Sequence, residues 1–394
     1  MPKRDRLAGT KDDPVKAVKK IAEVAKVVAG RVGKQASNQN KRLKNLYAVD
    51  FGTATIRLCR FKPGIHSIDQ YSEKSLVIDP QMSVEEQREL RLEALNELFD
   101  ATGAKHKNVI CGLPGRSVFT RYRWLPPLPE HKVLQVVRYE IQQQIPFALY
   151  QRRLDYQIMG RMENGSYDVL MAAVKSDVVD QQLAVFKDAG CKVRYLTVNP
   201  VAAYNWLRFV GEIDSRIDGE TIALIDLGAS GTNLVIERAG QFRFTRPINI
   251  GGNDITRAVQ KALKLNSFSA AESVKCHEVD SWIDNKDIDT FGIYSVLEEL
   301  AEEIKRSFAY FCAKPGGKEI ERVLLIGGGS KLAKVETYLT KRLGVEVRLA
   351  NPLAGLVSPK ESYPSSQMAT VLGLALQTQR EVAVKFDFVR GRTL

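Results

Sequence analysis

The distribution of apolar residues predicts alternating strands and helices from residue 46 onward. Short apolar runs, typical of strands, alternate with segments in which apolar residues recur every three or four positions, as in helices. Ser83 stands three residues before Glu86, which predicts a capping box at the start of a helix. In the first half, the predicted strands are near 46–52, 55–62, 67–78, 109–114, 154–159 and 167–174, and the predicted helices are near 84–102, 130–144, 176–189 and 201–210.

A second group of elements is predicted between residues 221 and 352. Its portion at 253–314 has mostly helical periodicity and lies between glycine-rich and proline-rich turns. The segment 367–380 predicts one more helix, which we expect to pack back against the first group. Alternation of strands and helices in both groups predicts an α/β protein with mixed sheets.

One motif occurs twice along the chain. Residues 49–58 (VDFGTATIRL) and 225–235 (IDLGASGTNLV) both enter an aspartate from an apolar run, turn through glycine and small residues, and return to an apolar run. Asp226 lies 176 positions after Asp50. Each copy predicts a hairpin whose glycine bends the backbone and leaves amides open to a phosphate. The alternative is that each aspartate only caps a turn.

Two facing hairpins are expected to hold one polyphosphate from both sides. The aspartates would then hold its Mg²⁺ through water, since Mg²⁺ gives up its hydration shell reluctantly. A third element supports this prediction: the apolar run at 323–326 leads into Gly327-Gly328-Gly329 and a predicted helix start. Such a junction presents free amides and a positive dipole end. The chain contains neither a Walker A loop nor a Gly-x-Gly-x-x-Gly fingerprint.

Composition and charge narrow the class of protein. A chain of 394 residues is expected to form two or more lobes. No apolar run approaches the roughly 20 residues of a membrane span, and no signal peptide is predicted. The five cysteines are odd in number and scattered, which favours a reducing cytoplasm over a disulfide framework or a metal site.

The basic charge is concentrated at the start of the chain. Residues 1–45 carry 13 Lys and Arg against 4 Asp and Glu, so they hold +9 of the net +12 and leave +3 for the body. The body therefore gives little reason to expect nucleic acid as a partner. Residues 15–28 have amphipathic helix spacing, so the tail is a helix that contacts an anionic membrane surface, a helix docked on the body, or a flexible solubilising tail.

The order of these motifs resembles the actin-like ATPase superfamily, in which two phosphate hairpins are followed by an adenosine motif. The segments Val137–Phe147 (VRYEIQQQIPF) and Asp168–Lys175 (DVLMAAVK) are similar to the PilM family of type IV pilus assembly proteins. The resemblance covers about residues 46–380. It implies an actin-like two-lobe ATPase fold with mixed sheets and a small β/α insert in the first lobe.

The resemblance also implies a domain order. The parts are, in turn, the basic tail (1–45), the first lobe (46–114), the β/α insert (115–192), a connecting helix with the return of the first lobe (193–220), the second lobe (221–354) with its helical part (253–314), and a return to the first lobe with a C-terminal tail (355–394).

The implied cofactors are ATP and Mg²⁺. The residues expected to bind ATP are Asp50, Gly52, Thr53, Ala54, Thr55, Asp226, Gly228, Ala229, Ser230, Gly231, Thr232, Glu302, Lys305, Gly327, Gly328, Gly329 and Ser330. Glu302 and Lys305 are included because a helix with this spacing contacts adenosine in the heat-shock chaperone ATPases; an ordinary surface ion pair is the alternative.

The implied partner is a PilN-like inner-membrane protein, whose N-terminal peptide would dock on the insert. The residues expected to bind this peptide are Arg123, Tyr139, Gln142, Gln143, Ile145 and Phe147. The resemblance places the chain in the cytoplasm, peripheral to the inner membrane, and leaves self-association open.

Asn199 departs from the pattern of hydrolytic relatives. There, a Glu or Gln at the start of the connecting helix helps align the attacking water. Asparagine is shorter and cannot act as a base, so slow or absent ATP hydrolysis is expected. The favoured function is a nucleotide-loaded scaffold of pilus or related secretion machinery. The alternatives are a phosphotransferase of the same superfamily and an FtsA-like membrane-tethered cell-division protein.

Overall fold

The computed structural model describes residues 46–389, except 63, 105–106, 145–151, 215–218, 278–290, 315, 358–359, 361–362 and 378–381. The basic tail at 1–45 and two of the expected peptide-binding residues, Ile145 and Phe147, therefore lie outside the described residues. Among the residues described, no helix is both long and apolar enough to cross a lipid bilayer.

Strands and helices are numbered here in chain order. The strands are β1 (Leu46–Phe51), β2 (Thr55–Phe61), β3 (Ile68–Ser75), β4 (Asn108–Leu113), β5 (Val118–Leu125), β6 (Arg152–Arg161), β7 (Tyr167–Lys175), β8 (Lys192–Val198), β9 (Thr221–Leu227), β10 (Thr232–Arg238), β11 (Gln241–Ile248), β12 (Arg322–Ile326) and β13 (Val347–Leu349). The α-helices are α1 (Val84–Asp100), α2 (Val133–Gln144), α3 (Ser176–Asp188), α4 (Asn199–Phe209), α5 (Gly252–Ala262), α6 (Phe268–His277), α7 (Ile293–Cys312), α8 (Val335–Leu343) and α9 (Ala369–Leu376).

Two five-stranded sheets share one topology. The first-lobe sheet has the order β3-β2-β1-β4-β8, and the second-lobe sheet has the order β11-β10-β9-β12-β13. In both, three antiparallel strands are followed by strands parallel to the first. The repeated motif thus belongs to a repeated sheet, and each copy spans the turn between the first two strands.

The elements agree closely with the apolar pattern. Ser83 and Glu86 form the predicted capping box, with the Ser83 hydroxyl accepting from the Glu86 amide at 3.2 Å. The predicted helix 130–144 begins as a 3₁₀ turn at Glu130–Lys132 and becomes α-helical from Val133.

Two helices cross at very short range beside the first-lobe sheet. A Cβ on Gly373 in α9 would lie 1.8 Å from the carbonyl oxygen of Ala202 in α4. The glycine therefore lets two backbones touch, and both helices bury nearly all their side chains. Along the chain, α4 precedes the strands of the second-lobe sheet and α9 follows them, so this contact joins the segments before and after that sheet.

A third sheet, called the insert sheet, has the order β5-β7-β6. Its central strand is buried on both faces. Val169, Met171 and Ala173 face a small core that includes Val133, Val137 and Ile141 of α2. The alternate residues Leu170, Ala172 and Val174 belong to the first-lobe core. The insert is therefore built into the first lobe by strand β7.

The C-terminal segment 382–389 lies between the first lobe and the insert. Val384, Phe386 and Phe388 are fully buried in the first-lobe core. The amide of Phe388 donates to the carbonyl of Leu196 in β8 at 2.8 Å, and the guanidinium of Arg153 in β6 donates to the carbonyl of Phe388 at 3.0 Å. The segment thus fixes β6 to the first-lobe sheet.

Candidate functional site

The turns of the two repeated hairpins contact each other. The hydroxyls of Thr53 and Ser230 share a hydrogen bond of 2.9 Å across the gap between the lobes. Arg116, from the turn before β5, donates to the carbonyl of Ser230 at 3.0 Å. The hairpins, which are far apart in sequence, therefore form one site between the two main sheets.

Asp50 is the last residue but one of β1 and is only 7% exposed. Its neighbour across the hairpin is Arg57, and the two side chains form an ion pair at 3.6 Å. Arg57 also donates to Glu73 at 3.1 Å and to Gln367 at 2.7 Å. Burial raises the pKa of Asp50, and the adjacent guanidinium opposes this rise.

Asp226 occupies the matching position at the end of β9, with a different partner. Across its hairpin stands Asn233, which donates to the carboxylate at 3.4 Å. Loss of hydration raises the pKa of Asp226 to about 6, and the negative charge of Asp50 adds to the rise. Within the described part of the chain, no Lys or Arg forms an ion pair with Asp226. Its charge is the less compensated of the two.

At the centre of the site, glycines occupy positions where any side chain would collide with neighbouring atoms. A Cβ on Gly52 would lie 2.5 Å from the Thr55 carbonyl oxygen, and one on Gly228 would lie 2.9 Å from the Gly231 carbonyl oxygen. Gly327 has φ +94°, and a Cβ there would lie 2.5 Å from a carboxylate oxygen of Asp226. The third motif therefore lies directly beside the second aspartate.

The sequence predicts that the glycine run leads directly into a helix, but in the structure it does not. Gly328–Lys331 forms a 3₁₀ turn, and α8 begins only at Val335. The Ser330 hydroxyl donates to the Gly327 carbonyl at 2.7 Å and lies 3.0 Å from the Ser366 hydroxyl. The reason is local, because glycine has little helix propensity and this hydroxyl stabilises a tight turn.

Glu302 and Lys305 form an ion pair of 2.9 Å on the surface of α7. The same Glu-x-x-Lys spacing also occurs on α6, at Glu272 and Lys275. The Lys275 amine donates to Glu272 at 2.7 Å and to the carbonyl of Gly252 at 3.3 Å. Gly252 packs against the turn of the second hairpin through Ala229. The structure thus links the Glu272–Lys275 pair to the second hairpin through Gly252. The sequence alone offers no reason to prefer this pair to Glu302 and Lys305.

The site residues fit a magnesium-bound polyphosphate. Both aspartates converge with glycine amides at the contact between the hairpins. Among the described residues, no group of three or more His, Cys, Asp or Glu side chains is arranged to hold a metal ion directly. Two carboxylates with open glycine turns suit a hydrated Mg²⁺ held together with phosphate oxygens.

Comparison with known families identifies the protein family. The family model described as "Type IV pilus assembly protein PilM" matches residues 48–379. The chain belongs to the PilM family of type IV pilus assembly proteins. The prediction made from the repeated hairpins and the VRYEIQQQIPF segment is confirmed.

Solved structures show the fold. A structure titled "PilM-PilN type IV pilus biogenesis complex" is 24% identical, has a TM-score of 0.72, and covers 84% of this chain and 98% of its own. The ethanolamine utilization protein EutJ from Carboxydothermus hydrogenoformans is 16% identical, has a TM-score of 0.51, and covers 92% of this chain and 99% of its own. The predicted actin-like fold with mixed sheets is confirmed.

Asn199 is the first residue of α4. It directly follows Val198, the last residue of β8, which is a parallel strand of the first-lobe sheet. Its side chain covers Gly112 of β4, where a Cβ would lie 2.0 Å from the amide oxygen. That oxygen is buried and accepts no hydrogen bond among the described residues. It is a buried polar atom near the end of β4, the strand that pairs with β1, which carries Asp50.

The four described residues that are expected to bind a peptide lie on one side of the insert. Tyr139 of α2 is 61% exposed, and Gln142 and Gln143 are exposed near the end of the same helix. Arg123 of β5 forms an ion pair with Glu140 at 3.4 Å, which ties the strand to the helix. This surface, formed by Arg123, Tyr139, Gln142 and Gln143, is called the insert surface below.

Proposed function

We propose that this PilM family member is an ATP-binding scaffold of a type IV pilus machine. The observation that carries the proposal is the contact between the two hairpin turns, which brings Asp50 and Asp226 into one glycine-lined site. Backbone amides of the turns would bind the phosphates, and the turn at Gly327 would pass under the nucleoside. Lys275 is an added candidate for the adenosine side, and Glu302 and Lys305 remain candidates there.

The two aspartates would hold Mg²⁺ unequally. Asp50 already has the guanidinium of Arg57 at 3.6 Å as a counter-charge. Among the described residues, the only side-chain partner of Asp226 is an amide donor at 3.4 Å. Asp226 would therefore be the main anchor for the hydration shell of the metal. Mg²⁺, when bound, would neutralise phosphate charge in the site.

Turnover is expected to be slow. Asn199 offers an amide where a water-aligning Glu or Gln would extend further, and an amide does not accept a proton from water. A steady-state rate of phosphate release above about 1 per second, within the range of typical enzymes, would contradict this part of the proposal.

The proposed partner is the N-terminal peptide of a PilN-like inner-membrane protein. The insert surface supports this because it presents an aromatic ring and two amides on a helix whose other face is held by its own core. Amides would fix the peptide backbone, and the ring would contact its apolar side chains. Such a contact would hold the chain at the cytoplasmic face of the membrane.

The test is a fluorescence titration of the full chain with the labelled N-terminal peptide of the cognate membrane protein. Tyr139→Ala combined with Gln143→Ala should weaken binding at least tenfold, about 1.4 kcal/mol. Val84→Ala, at an exposed helical position outside the insert, is the matched control. Point variants are required because deletion of residues 115–190 would remove Leu170, Ala172 and Val174 from the first-lobe core. Unchanged affinity in the folded double variant would exclude the insert surface as the docking site.

Residues 1–45 add a second proposed contact. Their charge of +9 and the amphipathic spacing of 15–28 support association with anionic lipid. Sedimentation with anionic vesicles, compared with neutral vesicles, tests this contact. Equal recovery with both vesicle types would contradict it. Self-association of the chain remains a separate proposal, to be tested by the dependence of its sedimentation coefficient on concentration.

A further inference from the structure

A second concave site lies away from the hairpins. It has a volume of about 530 Å³ and lies between β5 of the insert, β11 of the second-lobe sheet and the end of α7. We call it the β5–β11 cavity. None of the residues of the two hairpin turns lines it. The side chains that matter most are Arg121, Trp124, Arg238, Tyr310 and Lys314.

Three cations in this cavity lack a carboxylate partner among the described residues. Arg121 donates to its own neighbour, the Thr120 carbonyl, at 3.2 Å. Lys314 lies 4.5 Å from the ring centre of Tyr310. Arg238 donates to the carbonyl of Gly316, and its Nε is buried without an acceptor. Because none of these three charges has a carboxylate partner among the described residues, together they make the concavity positive.

Aromatic rings accompany the charges. Trp124 is 48% exposed and Tyr310 is 51% exposed, which is unusual for side chains this large. The pKa of the Tyr310 hydroxyl is lowered by a hydrogen bond from Lys314 and by the positive charges of Lys314, Arg121 and Arg123. The cavity therefore combines flat apolar surfaces with a positive potential.

We propose that the β5–β11 cavity binds a nucleotide-type ligand, with its phosphate held by Arg121, Arg238 and Lys314 and its base stacked on Trp124. Guanidinium groups bind phosphate oxygens through two parallel hydrogen bonds, and bases stack on aromatic side chains without strong sequence preference. The volume lies within the range of small-ligand pockets.

An extended acidic peptide fits this cavity less well. Strands β5 and β11 approach each other to within 8 Å between their Cα atoms. A peptide strand inserted between them would need nearly 5 Å on each side. Where the two strands are this close there is no room for a peptide strand between them, which favours a compact anion. Because its walls belong to the insert and to the second lobe, a bound ligand would hold the two together.

The test uses the full chain with Asp50→Ala and Asp226→Ala, which weakens the hairpin site. Quenching of tryptophan fluorescence is measured with ATP, GTP, adenosine and inorganic tripolyphosphate. ATP and GTP should bind, while adenosine and tripolyphosphate should bind at least tenfold more weakly, because each lacks one half of the recognised ligand. Adding Arg121→Ala and Arg238→Ala should weaken ATP binding at least tenfold, whereas Arg88→Ala on α1 should leave it unchanged.

A second variant, Trp124→Ala, is read by isothermal titration so that loss of the fluorophore does not affect the result. It should weaken ATP and leave tripolyphosphate unchanged. The proposal is overturned if ATP binding is unaffected by the arginine substitutions in folded protein, or if tripolyphosphate binds as tightly as ATP. It is also overturned if a glutamate-rich peptide competes more strongly than either nucleotide. If the hairpins do not bind ATP, ATP binding would be insensitive to Asp50→Ala and Asp226→Ala. That result differs from the results that overturn the proposal for the β5–β11 cavity.

Discussion

At the residue scale, the candidate site depends on how two carboxylates with the same sequence context differ in their partners. The hairpin register places Arg57 opposite Asp50 and Asn233 opposite Asp226. One carboxylate is therefore neutralised within the protein, and the other is held by a neutral amide. This difference makes the ionised Asp226 an energetic cost to the ligand-free fold, and it is the reason for proposing Asp226 as the anchor for a bound cation.

Asp226→Asn should stabilise the ligand-free protein. The carboxyl has a pKa of about 6 when folded, against 3.8 ordinarily, so its ionised form costs stability above pH 6. That cost disappears as pH falls from 6 towards 4, because the folded state takes up the proton first. The variant should gain about 1–2 kcal/mol at pH 7.5, allowing for partial exposure of the group, and the gain should shrink by pH 5.

Urea unfolding at the two pH values, in buffer without Mg²⁺ or nucleotide, measures this difference. Asp69→Asn, on strand β3, serves as a control that should show no comparable gain at pH 7.5. A variant that is less stable than the parent at pH 7.5, or a gain that does not change with pH, would show that the charge of Asp226 is compensated in the free protein.

At the element scale, the architecture depends on the close crossing of α4 and α9. Gly373 touches the backbone of Ala202, so any side chain there must separate the helices. Gly373→Ala should cost about 1–3 kcal/mol in unfolding free energy, despite the better helix propensity of alanine. Gly160→Ala in β6 is the matched control, because its Cβ would meet nothing closer than 3.9 Å. Equal effects of the two substitutions in urea unfolding would contradict the tight crossing.

Many of the helices, strands and hairpins can be predicted from the sequence, because apolar periodicity and capping depend on neighbouring residues. The start of α1 at Ser83 and the two Asp-x-Gly hairpins are examples. The sequence could not identify Arg57 as the partner of Asp50, since that pairing depends on strand register. It also could not choose between the Glu-x-x-Lys pairs at 272 and 302, because only the fold brings one of them near the second hairpin.

At the scale of the whole molecule, one network joins the insert to the second lobe. Arg243 of β11 forms an ion pair of 3.6 Å with Asp168 of β7, donates to the Tyr122 hydroxyl, and lies 5.1 Å from the ring centre of Tyr122. Asp168 is only 5% exposed. Removing its cation would leave a buried charge without a counter-ion, which is strongly destabilising.

Arg243→Met should therefore lower the unfolding free energy by about 3 kcal/mol. Adding Asp168→Asn should restore part of that loss, since the unpaired charge is then gone. A double-mutant cycle in urea unfolding gives the coupling energy. Additive effects of the two substitutions would mean that this contact does not hold the insert to the second lobe.

The proposed scaffold function depends on the two hairpins forming one Mg·ATP site between the lobes. Isothermal titration of the full chain with Mg·ATP tests it most directly, using Asp226→Ala, Asp50→Ala and the double variant. We predict a loss of at least tenfold, about 1.4 kcal/mol, for Asp226→Ala, a smaller loss for Asp50→Ala, and a larger loss for the double variant. Unchanged Mg·ATP affinity in a folded double variant would contradict the central claim.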